Sequence, residues 1–367
     1  MTLLLTVILV ALTFEYINGF LDTANSIATV VSTKVLTPRQ AVLMAATMNL
    51  LGALCGTAVA KTITSGLIDS RMVVMTSDVI ICALAGAILW NLCTWRFGLP
   101  SSSSHALIGG LCGSAVAASG GNWSVIIWSQ PSAQHWWLGK GLLWKVIAPM
   151  VTSPVAGFIL GFIVMALLYL LLRNARALSV NRFFGRAQIF SAGAMGFMHG
   201  TNDAQKTMGL IALTLLAATQ AGHLAHVPAW LSFLRTPQPL PGKDLEIAAW
   251  IKVVCALTMA AGTAVGGWRI IRTLGHKMVK LHPINGFAAE TASATVIAAA
   301  THLGIPISTT HNISSAIMGV GAARRLSAIN WTLVEQMVWA WILTIPVSGS
   351  LAYGLVRMLR ALGLSLG

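Results

Sequence analysis

The chain has 367 residues, 23 of them Lys or Arg against 9 acids, a formal charge of +14, 56% apolar and only 9% charged side chains, and a mean hydropathy of +0.79. An ordinary soluble domain uses about 25% charged residues, so this supply cannot cover a water-soluble surface and reads as an all-α polytopic membrane protein. The basic residues cluster in short connections (Arg173, Arg176, Arg182 and Arg186; Arg269, Arg272, Lys277 and Lys280; Arg324 and Arg325) without interleaved stacking aromatics, which suits anionic membrane lipids under the positive-inside rule and excludes nucleic acid.

An apolar run over residues 3–21 opens the chain and approaches the roughly 20 residues that span a bilayer. No Ala-x-Ala cleavage site precedes the polar cluster Asn18–Asn25, so the run is expected to be a retained first helix. Glu15 and Asp22 interrupt it, and an acid in apolar surroundings is expensive unless paired, solvated or ligating a cation. Gly19 is expected to break the helix, leaving Asp22 and Asn25 either as oxygen ligands for a cation beside unwound backbone or as helix caps.

Apolar runs follow at 41–60 and 77–95, and then Gly98-Leu-Pro-Ser-Ser-Ser-Ser-His105. Pro100 fixes a turn, the hydroxyls of Ser101–Ser104 cap a new helix, and its first amides point outward unpaired, a ready anion site. The Trp-rich stretch 122–137, with Trp123, Trp128, Trp136 and Trp137, suits the membrane interface. A further apolar run, 141–172, ends at the Arg-rich connection 173–186.

Beyond that connection the motifs recur in order. Asn18–Asn25 aligns with His199–Lys206, the tetrapeptide Gly56–Val59 is identical to Gly262–Val265, and Gly98–His105 aligns with Gly304-Ile-Pro-Ile-Ser-Thr-Thr-His311. Extra residues in a Pro- and His-rich loop at 220–246, with Pro228, Pro237, Pro239 and Pro241, separate the first two repeats of the second set. The expected organisation is therefore a first transmembrane repeat over 1–172, a basic loop over 173–186, and a second repeat over 187–367, inverted with respect to the first and built with broken or re-entrant helices.

The second set supplies Asn202 and Asp203 opposite Asp22 and Asn25, and Lys206 at the position of Asn25, with Gly200 expected to break its helix as Gly19 does in the first half. Lys206 could pair with Asp203, attract an anion or replace a bound sodium ion. Glu290, in Gly286-Phe-Ala-Ala-Glu-Thr291, has no acidic counterpart in the first half and is a candidate proton carrier or one arm of a buried salt bridge. Either hydroxyl cluster alone reads as ordinary capping or as small residues for close packing. Two clusters with the same Gly-x-Pro opening and the same following His point to an anion held between two helix starts by Ser102, Ser103 and Ser104 on one side and Ser308, Thr309 and Thr310 on the other. His105 and His311 either move a proton or fix the loops. The five cysteines sit in apolar segments without metal spacing and read as buried hydrophobes.

These motifs together resemble the PiT inorganic phosphate transporters over nearly the whole chain. The resemblance implies inverted repeats, phosphate held by Ser103, Ser104, Thr309 and Thr310, and coupling through Asp22, Asn25, Asn202 and Asp203. Lys206 is similar to bacterial members driven by protons that accept phosphate with a divalent metal. Two departures stand out: Leu21 replaces the family's frequent Asn or His, and the central connection lacks the soluble insertion of animal members.

The resulting expectation is a multi-pass carrier of the cytoplasmic (inner) membrane with about ten to twelve segments, moving phosphate inward with protons. It needs no cofactor, meets lipids as its surroundings, and leaves a metal site and a homo-oligomer undecided. Competing readings are sulfate as substrate, sodium as coupling ion, an anion channel, and an intramembrane hydrolase using Ser104 and His105. The last is disfavoured because adjacent residues diverge on a helix.

Overall fold

The computed structural model describes residues 2–60, 67–69, 71–130, 139–237 and 245–363. Trp136, Trp137, Pro239 and Pro241 lie outside these. Among the described residues there is no β-strand, only the isolated bridges Ile68–Ile126 and Gln130–Lys140.

In chain order the helices are α1 (Thr2–Ser32), α2 (Pro38–Leu54), α3 (Ser77–Phe97), α4 (Ser103–Ala118), α5 (Ala148–Leu171), α6 (Ala177–Gln220), α7 (Ala249–Val265), α8 (Trp268–Arg272), α9 (Pro283–His302), α10 (Thr309–Arg324) and α11 (Trp331–Ala361). Their ends follow local chemistry. Thr37 and Gln40 close a capping box on α2 with Pro38 at its first position. Gly98 ends α3 in the left-handed conformation, φ 68°. Ser102 and Ser308 cap α4 and α10 by accepting from the amides of His105 and His311, at 3.2 and 3.1 Å.

The stretches Thr2–Ser32, Ser77–Phe97, Leu143–Leu171 and Trp331–Ala361 are long and apolar enough to cross a membrane, and α7 with the segment Trp268–Lys277, bent by 58°, makes a fifth if taken as one span. Among the described residues no other helix is both long and apolar enough by itself. The helices α2, α4, α7 and α10 have only 16 or 17 residues each. At 44 residues α6 is about 66 Å long, but polar site residues interrupt its apolar character. Val151, Val155, Ile159 and Leu170 expose an apolar face of α5, as a lipid-facing helix requires.

The expected breaks at Gly19 and Gly200 are absent: α1 and α6 run unbroken through both motifs. Those glycines serve close crossing instead. A methyl on Gly19 would sit 2.2 Å from the Met259 carbonyl oxygen, and one on Gly262 would sit 2.0 Å from that of Tyr16. The α2–α6 crossing is built alike: Gly52 faces the Phe197 carbonyl oxygen at 2.1 Å and Gly200 that of Asn49 at 2.4 Å. Gly262 thus holds in α7 the place that Gly52 holds in α2. The identical tetrapeptides are not equivalent, since Gly56 lies past the end of α2 with φ 84°.

Around the crossed α1, α2, α6 and α7, the remaining helices form two groups. One is α4 packed on α3 and α11, and the other is α10 packed on α9 and α5. Both α4 and α10 are buried along nearly their whole length.

Candidate functional site

The starts of α4 and α10 meet the middles of α1 and α6 in the interior. Asp22 on α1 accepts from Thr310 Oγ1 at 2.8 Å and from Ser103 Oγ at 3.4 Å. Asp203 on α6 accepts from Thr309 Oγ1 at 2.7 Å and from Ser104 Oγ at 3.3 Å. Each carboxylate therefore takes one hydroxyl from each helix start. All six residues are at most 6% exposed.

The nitrogen donors of the two halves are unequal. Lys206 Nζ donates to Asp203 Oδ1, to Ser104 Oγ and, at 3.2 Å, to the Ile307 carbonyl oxygen. Opposite it, Asn25 Nδ2 reaches Asp22 Oδ1 at 3.1 Å, Thr309 Oγ1 at 3.2 Å and Thr310 Oγ1 at 3.0 Å. An ammonium with a carboxylate and two further acceptors meets the condition under which a buried charge persists.

His199, one helical turn before Asp203, was not among the expected site residues. Asn49 Nδ2 donates to Thr263 Oγ1 at 3.0 Å, which turns the Asn49 carbonyl toward His199 Nδ1 at 2.9 Å. The other ring nitrogen, Nε2, lies 3.0 Å from Asp203 Oδ2 and 3.9 Å from Asp22 Oδ2. Two bare lone pairs at 3.0 Å repel, and a proton or a cation between them would relieve the contact. Asp22, His199 and Asp203 offer ligand atoms within 4.8 Å of one another, close enough to share one cation. The i,i+4 spacing of His199 and Asp203 carries that signal in the sequence, provided the helix is read as continuous.

Four expected residues stand elsewhere. Ser102 and Ser308 use their hydroxyl oxygens as caps of their own helices. Asn202 turns away from the carboxylates and donates to Thr301 Oγ1 at 2.9 Å and the Ile305 carbonyl oxygen at 3.4 Å, bracing the turn before α10. Glu290 on α9 receives the hydroxyls of Thr29 and Ser191 and, at 3.2 Å, the amide of Gln188, with no cationic partner among the described residues. His105 and His311 stack edge to face, ring centroids 5.0 Å apart, and His311 lies on Trp341 at 4.2 Å.

Two substitutions separate on-site from off-site asparagines. Asn25→Ala removes a donor that Asp22 and both threonines at the start of α10 share, and is expected to raise the substrate KM about tenfold, the ~1.4 kcal/mol typical of one buried hydrogen bond. Asn202→Ala is expected to lower the melting temperature by a few degrees, about 1 kcal/mol, and to leave KM within about twofold.

The arrangement offers hydroxyl donors and one ammonium to an anion, with carboxylates that compete for the same donors. The family model described as phosphate transporter family (PHO4) matches residues 18–352. A probable low-affinity inorganic phosphate transporter of Bacillus subtilis is 41% identical over 362 residues, covering 97% of this chain and 98% of that protein. One of the same description from Rhizobium meliloti is 44% identical over 347 residues, covering 94% and 93%. A solved structure described as the sodium-dependent phosphate transporter shares the fold, with a TM-score of 0.78 at 24% identity, over 98% of this chain and 100% of that one.

Proposed function

Because the chain belongs to the phosphate transporter family, we propose that this multi-pass membrane transporter imports inorganic phosphate across the inner membrane by proton symport. It is a carrier and not an enzyme. The observation that carries this reading is the crossed bracing of the two helix starts: each of Asp22 and Asp203 holds one hydroxyl from α4 and one from α10.

Phosphate oxygens would accept from Ser103, Ser104, Thr309 and Thr310 in place of the carboxylates, beside the Lys206 ammonium. An anion cannot enter next to two ionised carboxylates without compensation, and Lys206 supplies one charge only. Protons taken up by the carboxylates and His199 supply the rest, and they weaken the carboxylates' hold on the hydroxyls at the moment the anion needs them. An imidazole nitrogen in the cluster suits a proton or a divalent cation better than a hard alkali ion. Phosphate near neutral pH still carries a hydroxyl that can donate to a carboxylate, whereas sulfate carries none.

The same donor set supports a divalent metal–phosphate complex as an alternative form of the cargo. The repeats over 1–172 and 187–367, joined by 173–186, belong to the same proposal. Their support is that exchanging α1 with α6, α2 with α7, α3 with α9, α4 with α10 and α5 with α11 maps the main helix contacts onto one another. Two halves built around one anion give each side of the membrane an equivalent path to it.

Purified protein in liposomes should take up labelled phosphate in response to an imposed pH gradient, with excess sulfate failing to compete. Uptake driven by sodium alone would remove the proton assignment, and preference for sulfate would remove the substrate assignment. Labelled phosphate trapped inside should exchange with external phosphate, which an anion channel does not accelerate from the trans side.

A further inference from the structure

Seven residues before Asp22 on α1 lies Glu15, 0% exposed. One of its oxygens, Oε2, accepts from the Thr207 hydroxyl of α6, while Oε1 has no protein partner. Seven residues after Asp22 stands Thr29, whose hydroxyl is bonded to Glu290 of α9. A seven-residue step is two turns on the same face, about 10 Å. Along α1, then, three buried acid positions follow one another: Glu15, the Asp22–Asp203 pair, and Glu290. The column is about 20 Å long and occupies much of a ~30 Å hydrocarbon core.

Neither glutamate is explained by the substrate site or by internal repetition. Neither touches the hydroxyls of α4 or α10. The position 181 residues after Glu15 is Gly196 and the position 206 residues before Glu290 is Leu84, so neither has an acidic counterpart under the motif offsets. The titratable groups facing Glu15 are His199, Asp203 and Lys206 from α6 and Cys255 from α7, with Asp22 on its own helix. No ion pair joins Glu15 to a cation among the described residues. A buried carboxylate with one free oxygen and no fixed counter-charge has a proton as its natural partner.

We propose that Glu15 is a proton-carrying station of this transporter, exchanging protons with the Asp22–Asp203 pair on the side opposite Glu290. In one direction the protonated Glu15 carboxyl gives its proton, relayed by water, to a carboxylate of the pair. Glu15 is left ionised and regains a proton from the aqueous side, so one proton is conserved per passage. The inference rests on the proton-symport reading and adds the route by which protons reach the site.

The test compares wild type, Glu15→Gln and Glu15→Asp in liposomes by two measurements: labelled phosphate uptake under an imposed pH gradient, and phosphate counterflow at equal pH. Counterflow needs alternating access but no net proton movement. The expected result is that Glu15→Gln loses gradient-driven uptake by tenfold or more, keeps counterflow within twofold, and that Glu15→Asp regains much of the uptake. A Gln variant that keeps both activities, or loses both, overturns the assignment in favour of a packing role. Wild-type uptake indifferent to the pH gradient overturns the proton reading itself, and it does so before any variant is compared.

Discussion

Asp203→Asn is expected to abolish phosphate uptake, by about two orders of magnitude or more in the liposome assay, the equivalent of ~2.7 kcal/mol in the transport barrier. The carboxylate at this position accepts from one hydroxyl of each helix start, from Lys206, and faces His199 at 3.0 Å. An amide brings a donor where donors already converge, and it leaves the ammonium buried without its counter-charge. Breaking a buried pair by removing one partner costs about 3–5 kcal/mol, so the melting temperature falls together with activity. Asp22→Asn separates the two effects. Among the described residues no ammonium is paired with Asp22, so this variant should keep most of its stability and still lose coupled uptake. Adding Lys206→Met to Asp203→Asn should recover stability without recovering transport. Wild-type rates in both single variants would remove the carboxylate pair from the mechanism.

Gly262→Val is expected to prevent assembly of the fold. Even the first carbon of a side chain would stand 2.0 Å from the Tyr16 carbonyl oxygen and 3.0 Å from the Phe20 nitrogen, both backbone atoms of a helix that cannot step aside. Overpacking by a methylene costs about 1–3 kcal/mol where side chains can give. Here backbone must move at the α1–α7 crossing, and the expected loss is at least ~3 kcal/mol, read as disappearance of monodisperse protein in detergent. Gly354→Ala on α11, where nothing lies within 4 Å, is the control and should be neutral or slightly stabilising.

The two glycine positions also mark where sequence reasoning stopped. The helix starts were legible because capping is local chemistry: Gly-x-Pro followed by hydroxyls specifies a turn and a cap wherever the chain goes, and Ser102 and Ser308 cap as expected. The carboxylates were legible because an acid among apolar residues needs a reason. Gly19 and Gly200 were misread as breaks because a glycine that interrupts a helix and one that admits a neighbouring backbone look alike in one dimension. Its propensity cost of about 1 kcal/mol is offset here by a partner distant in the chain. The same error hid His199, which shares a face with Asp203 only in an unbroken helix. Asn202 and Glu290 were grouped with the site by neighbourhood in sequence and by charge, and the helical rotation that sends one to Thr301 and the other to Thr29 is set by tertiary packing.

The exchange of α5 and α11 between the two groups bears on how the molecule is made. The short helix α4 is buried along almost its whole length, and much of its cover is α11, roughly 200 residues further on. While the ribosome is still reading the middle of the message, α4 has its hydroxyl-bearing start and its small apolar residues but not its final wall. The cluster around Asp22 and Asp203 therefore closes only once α11 has entered the membrane, and a chain arrested before α11 should be handed to quality-control proteases. Cutting into α11 takes away the wall on which α4, some 200 residues earlier, depends.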